Sequence, residues 1–218
     1  RNKMGIEINL NNLNATLAGW APGQRTQLLP EGIGIELLKG AKIIMQVHYF
    51  PQRATGEDQT RIGLYFQPGK ITQRLFEIPV VNTSFKIPAG AESYDVKGSL
   101  SILPLLSGEA IWVYPHMHLL GRKIKVEVTG PDKKTTPVIS IPDWDFNWQG
   151  AYTFVTPQKF TGGSTVRVTC TFDNSEKNPR NPNNPLIPVG WGENTTDEMC
   201  LAFLGVTLDI EKIVGVQQ

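Results

Sequence analysis

Ile124-Lys125-Val126-Glu127-Val128 alternates apolar and charged side chains without a break. A strand repeats every two residues, so this run sends its isoleucine and valines to one face and its lysine and glutamate to the other. One dry face and one wet face is the habit of antiparallel sheets. Similar short runs recur on both sides of it. Strands are expected at 41–50, 61–66, 75–81, 94–101, 109–119, 123–128, 136–141, 152–154, 164–172 and 198–208, separated by punctuation from 16 prolines and 21 glycines. No segment holds a helical apolar period for long, so the expected class is all-β, built from antiparallel sheets. Pro68-Gly69 ends one strand series before the next begins, which divides the chain into units at 1–70 and 71–218. The stretch 174–184, Asn-Ser-Glu-Lys-Asn-Pro-Arg-Asn-Pro-Asn-Asn, is dense in turn formers and reads as a surface loop.

Composition narrows the function classes. An apolar fraction of 40% in 218 residues is enough to bury a core. Lys+Arg at 21 against Asp+Glu at 20 leaves no basic field to recruit nucleic acid or an anionic membrane surface. No apolar run approaches the roughly 18 residues of a spanning helix, and the opening Arg1-Asn2-Lys3-Met4-Gly5 carries no signal peptide in this numbering. Neither a nucleic acid nor a membrane span is expected; a small-molecule substrate remains. The two cysteines, Cys170 and Cys200, belong to no C-x-x-C pair, and either a disulfide or two buried thiols fits them.

Chemistry is carried by few residues. The chain has three histidines, and two of them form His116-Met117-His118 within an expected strand, where the period of two throws both imidazoles to one face. Such a pair can bind a metal, or can be two strand histidines hydrogen-bonded to neighbours. No third histidine lies close by in sequence, so a third ligand must come from a distant strand. Met199, in Thr196-Asp-Glu-Met-Cys200, is the candidate, with core packing as its other reading. Two imidazoles and a thioether form a mixed borderline and soft set that suits copper cycling between Cu(I) and Cu(II), whereas zinc rarely takes methionine.

Four motifs in order, Gln46-Val-His-Tyr49, Trp112-Val-Tyr-Pro-His-Met-His-Leu-Leu-Gly-Arg-Lys123, Thr169-Cys-Thr-Phe172 and Gly190-Trp-Gly-Glu-Asn-Thr-Thr-Asp-Glu-Met-Cys200, resemble the copper type II, ascorbate-dependent monooxygenases. Peptidylglycine alpha-hydroxylating monooxygenase and dopamine beta-monooxygenase are the familiar members. The resemblance implies an antiparallel jelly-roll β-sandwich at 71–218, carrying the catalytic copper on His116, His118 and Met199. It implies a Cys170–Cys200 disulfide, and hence a secreted, periplasmic or secretory-lumen setting. It makes His48 a ligand of a second, electron-transferring copper, and 1–70 the closing part of a first domain, a partial second β-sandwich. The family's other ligands for that copper are upstream histidines, and none precedes His48 here. The sequence therefore reads as starting partway through the enzyme, with the missing half or another subunit as a partner. Dioxygen is the implied co-substrate and ascorbate or a similar reductant the electron source.

Substrate is addressed by departures from the pattern. The peptide-hydroxylating branch grips a carboxylate with an arginine, an asparagine and a tyrosine at positions that here hold Tyr114, Leu201 and Phe203. Without a guanidinium there is no charge-assisted bond to a carboxylate, so a glycine-extended peptide is not the expected substrate. The pocket is expected to be apolar and aromatic. Trp144-Asp-Phe-Asn-Trp148, with Tyr152 and Phe154, either lines a cleft or packs in the core. A different class of function, a non-catalytic copper-binding or protein-interaction β-sandwich within a larger assembly, is the alternative.

Overall fold

The computed structural model describes residues 16–49, 55–214 and 216. Twelve strands and one short helix follow in order: β1 (Ile33–Gly34), β2 (Gln73–Arg74), β3 (Phe76–Asn82), β4 (Lys86–Ile87), β5 (Tyr94–Ser101), β6 (Gly108–His116), β7 (Gly121–Thr129), β8 (Thr135–Ile141), β9 (Tyr152–Phe160), β10 (Thr165–Phe172), β11 (Val189–Gly190), β12 (Cys200–Leu208) and α1 (Ile210–Val214). Two four-stranded antiparallel sheets, ordered β5-β10-β7-β8 and β3-β12-β6-β9, make an all-β sandwich. In β7, Ile124 and Val126 point into the core while Lys125 and Glu127 pair with each other outside, as alternation requires.

One core cluster joins the inner faces of both sheets, with Val80, Val113, Ala202 and Leu204 from one and Val96, Ile124, Val126 and Val168 from the other. Each such aliphatic side chain contributes about 1.5–3 kcal/mol on leaving water. Cys170 of β10 and Cys200, the first residue of β12, are disulfide-bonded, which staples one sheet to the other. A second, smaller cluster lies on the outer face of the β3-β12-β6-β9 sheet: Ile33, Leu75, Ile111 and Trp112, with Leu29, Ile35, Tyr114 and Phe203 packed against it. The segment 29–35 therefore covers part of this outer face. Arg74 ties the cover down, bonding Glu36 at 3.1 Å and the buried Glu211 of α1 at 2.6 Å.

Two expected strands are missing. Residues 41–49 and 61–66 form no ladder, and their alternating apolar side chains, Ile44, Tyr65 and Phe66 among them, are exposed. Alternation marks a face able to pack, but a strand also needs a neighbouring backbone to bond, and none lies beside these segments among the described residues. Of the partial N-terminal sandwich, the described residues contain only β1, paired in parallel with β2. The 174–184 loop is also less of a surface feature than its composition suggests. Asn174, Ser175 and Asn178 are buried, and Asn174 Nδ2 donates to the Pro88 and Ile187 carbonyls. Turn-forming side chains here satisfy buried backbone. The sequence has N-x-[ST] triplets at Asn14, Asn82 and Asn194, of which the first lies outside the described residues.

Candidate metal centre

Strand β6 was expected to run to Leu119 but its ladder stops at His116. Alternation nevertheless continues one step further. Met117 is fully buried in the core, and the His116 and His118 rings stand edge to face with centroids 5.0 Å apart on the outer side. The ladder stops because β12 begins at Cys200; the His118 N–H, which would have bonded a strand carbonyl, donates instead to the Glu198 carboxylate at 2.9 Å.

Cross-strand register assigns the remaining expected residues to the same face. Leu201 pairs with His116 and Phe203 with Tyr114 in antiparallel register, and directly opposed residues share a face. Continued one step past the ladder, which ends at the Leu201–His116 pair, the same register would bring Met199 to His118. The backbone N–H groups of His118 and Met199 are bound by one atom, Glu198 Oε2, at 2.9 and 3.3 Å. Rings run along this face in a row: Phe203 and Tyr114 with centroids 6.2 Å apart, Tyr114 and His116 at 6.3 Å, and Phe146 edge-on to His118 at 6.2 Å. Leu201 is buried; Tyr114 and Phe203 are half-buried. Within β12, Gly205 has no room for a Cβ because the indole of Trp112, its partner on β6, lies against it.

Residues 77–206 match the family model of the copper type II ascorbate-dependent monooxygenase, C-terminal domain. The chain belongs to the copper type II ascorbate-dependent monooxygenase family. The match covers the sandwich from β3 to most of β12, and with it His116, His118 and Met199.

The histidine pair fits the copper that this family uses. The Asp197 carbonyl can only accept, so its 2.9 Å bond to His118 fixes the ring proton on Nδ1 and leaves Nε2 with a lone pair. Gln149 Oε1, 2.6 Å from His116 Nδ1, imposes the same tautomer on the other ring. Burial pushes His116 down to about 4, reinforced by the neighbouring His118, and burial lowers His118 as well. Both rings are thus neutral at pH 7, the form that binds metal. Among the described residues, no three His, Cys, Asp or Glu side chains group as a ligand set.

Two residues that shape the site, Gln149 and Glu198, were not singled out from the sequence. Gln149 is buried, bonded through Nε2 to the Phe146 carbonyl at 2.8 Å and through its backbone N–H to the Pro22 carbonyl at 2.8 Å. Trp144, in the core, donates Nε1 to the His118 carbonyl at 3.2 Å, so the aromatic cluster divides: Trp144 packs, Phe146 faces His118, and Trp148 is exposed. Glu198 is wholly buried, and burial pushes it up to about 8 against the pull of three N–H donors. Its signal was available: an acidic residue directly before a candidate ligand and the otherwise apolar strand that follows it. His48, by contrast, lies outside the pair. It is exposed, with Nε2 2.8 Å from Gln46 Nε2 and 3.7 Å from Glu193.

Proposed function

We propose that this chain carries the catalytic-copper domain of a monooxygenase that hydroxylates a C–H bond. In the overall reaction one oxygen atom enters the C–H bond and the other leaves as water, with two electrons and two protons drawn from ascorbate or a similar reductant. The single observation that supports this best is the outer-face trio. His116 and His118 present adjacent rings with both Nδ1 atoms occupied, and the backbone N–H of Met199 shares Glu198 Oε2 with that of His118. His116 Nε2, His118 Nε2 and the Met199 sulfur would hold the copper, which supplies one-electron redox chemistry toward dioxygen. Gln149 and Asp197 keep the rings in the ligating tautomer. Tyr114, Leu201 and Phe203 form an apolar and aromatic wall beside the trio for the substrate's hydrocarbon part. Burial, and then the Glu77 charge, push the Tyr114 hydroxyl up to about 12, so it stays neutral.

Residues 71–218 make up this domain, in a jelly-roll arrangement, and 1–70 belong to the domain of a second, electron-transferring copper with His48 as one ligand. The other ligands of that copper lie outside these residues, in an upstream half or another subunit. The disulfide suits a secreted, periplasmic or secretory-lumen setting; among the described residues no helix is long and apolar enough to cross a membrane. A histidine count of three favours a second reading, a sandwich that binds copper without turning over.

Copper stoichiometry, competitive Cu(I) titration of wild type and Met199→Ala, and ascorbate-dependent oxygen uptake test the proposal. One copper per chain, weakened in the variant, with oxygen uptake coupled to hydroxylated product is expected. Copper binding with no coupled uptake, even when an upstream half is supplied, returns the second reading. Equal affinities in the two proteins remove Met199 from the site.

A further inference from the structure

Glu198 lies between Asp197, whose carbonyl holds His118 Nδ1, and Met199. Its side chain has no solvent exposure, and among the described residues it makes no ion pair and its three hydrogen-bond partners are backbone N–H groups. Oε2 receives His118 at 2.9 Å and Met199 at 3.3 Å, while Oε1 receives Leu120 at 2.6 Å. These donors sit where the β6–β12 ladder has ended, on two segments that meet only across the sheet end. The next residue, Cys200, is fixed to β10 by the disulfide. A carboxyl group that receives N–H donors on both oxygens is a rigid clamp. A buried one that bonds only backbone does nothing for the surface and nothing for an ion pair; what it does is hold the His118 turn against the Met199 segment.

We infer that Glu198 is the positioning residue of the copper site: its carboxylate replaces the missing ladder bonds and sets the separation of the His118 ring from the Met199 thioether. The inference rests on the ligand assignment proposed above. Groups that orient ligands in this way are worth about 10- to 100-fold in metal affinity.

The test compares Glu198→Gln and Glu198→Asp with Glu211→Gln, which weakens the other buried carboxylate, far from the site and bonded to Arg74 N and Nε at 2.7 and 2.6 Å. Glutamine keeps the shape but turns an N–H₂ toward one of the backbone donors; aspartate keeps both acceptor oxygens but falls a methylene short. Competitive Cu(I) titration and the sulfur contribution to copper X-ray absorption are read on folded protein. The expected result is about 10- to 100-fold weaker Cu(I) binding and a reduced Cu–S signal in both Glu198 variants. Glu211→Gln should lose stability while leaving affinity and Cu–S signal as in wild type. Unchanged affinity and Cu–S signal at Glu198, an equal loss at Glu211→Gln, or failure of both Glu198 variants to fold would each overturn the positioning role. A wild type that binds no Cu(I), or shows no Cu–S signal, would instead refute the ligand assignment itself.

Discussion

Replacing Gln149 by leucine removes two buried bonds together, the 2.6 Å contact with His116 Nδ1 and the 2.8 Å contact with the Phe146 carbonyl. Leucine fills nearly the same volume, so no cavity confuses the reading. Each group left unsatisfied costs about 1–3 kcal/mol, for a combined loss of about 2–5 kcal/mol against a total domain stability of about 5–15 kcal/mol. The backbone bond from Gln149 to Pro22 survives, so the N-terminal cover should stay in place. Urea unfolding of the copper-free protein measures the loss as a lower midpoint at unchanged slope. A second readout is specific to the site: with Nδ1 unpinned, the His116 ring can take either tautomer and turn, and Cu(I) affinity should fall by about 10- to 100-fold. Gln149→Glu, which keeps an acceptor for His116 but loses the donor to Phe146, should recover most of that affinity while remaining destabilised. A leucine variant with wild-type midpoint and wild-type affinity would refute the claim that this amide governs the ring.

Three further outcomes follow from the same geometry. His116 is neutral in the fold and depressed to about 4, so the unfolded chain takes up its proton first as pH falls; this contribution is full above about 6.5 and is lost toward 4. Because Glu198 is shifted the other way, the measurement is the stability difference between copper-free wild type and His116→Asn, which should shrink by about 3 kcal/mol across that window; a flat difference would show His116 to be solvated. Reducing the Cys170–Cys200 bridge, which closes a separation of 30 residues, should lower stability by about 3.5 kcal/mol in denaturant titrations with and without thiol; superimposable curves would contradict this. Gly23→Ala puts a side chain on a residue at φ 90°, with its Cβ 2.9 Å from the Asn147 carbonyl and Trp148 Cα. Thermal unfolding should show a loss of about 1–3 kcal/mol, and an unchanged melting temperature would mean that the turn moves away freely.

Much of the sandwich was legible in the sequence because its strands follow a local rule. From β3 to β12, alternation located each long strand, and Ile124 to Val128 showed which side was wet. Pairing is not a local rule. Residues 41–49 alternate as well as β7 does, yet bond no neighbouring strand, and nothing within the segment could reveal that. The site divides in the same way. His116 and His118 were visible because two residues on one strand edge fix their own geometry. Gln149 reaches His116 across 33 positions and Glu198 reaches His118 across 80, and such contacts exist only once the sheet has closed.

Strand β12 is buried on both faces, and the two serve different ends. Even positions, Cys200, Ala202 and Leu204, belong to the core; the odd positions Leu201 and Phe203, with Met199 continuing the sequence, belong to the site face. Parity thus separates the heritable demands of folding from those of chemistry on a single strand. Replacements at odd positions can rewrite what the surface accepts while leaving the interior untouched, whereas a one-residue insertion ahead of Leu201 would exchange the two sets and lose both at once. A lineage, or a designer, can therefore alter this face by substitution but not by lengthening the strand.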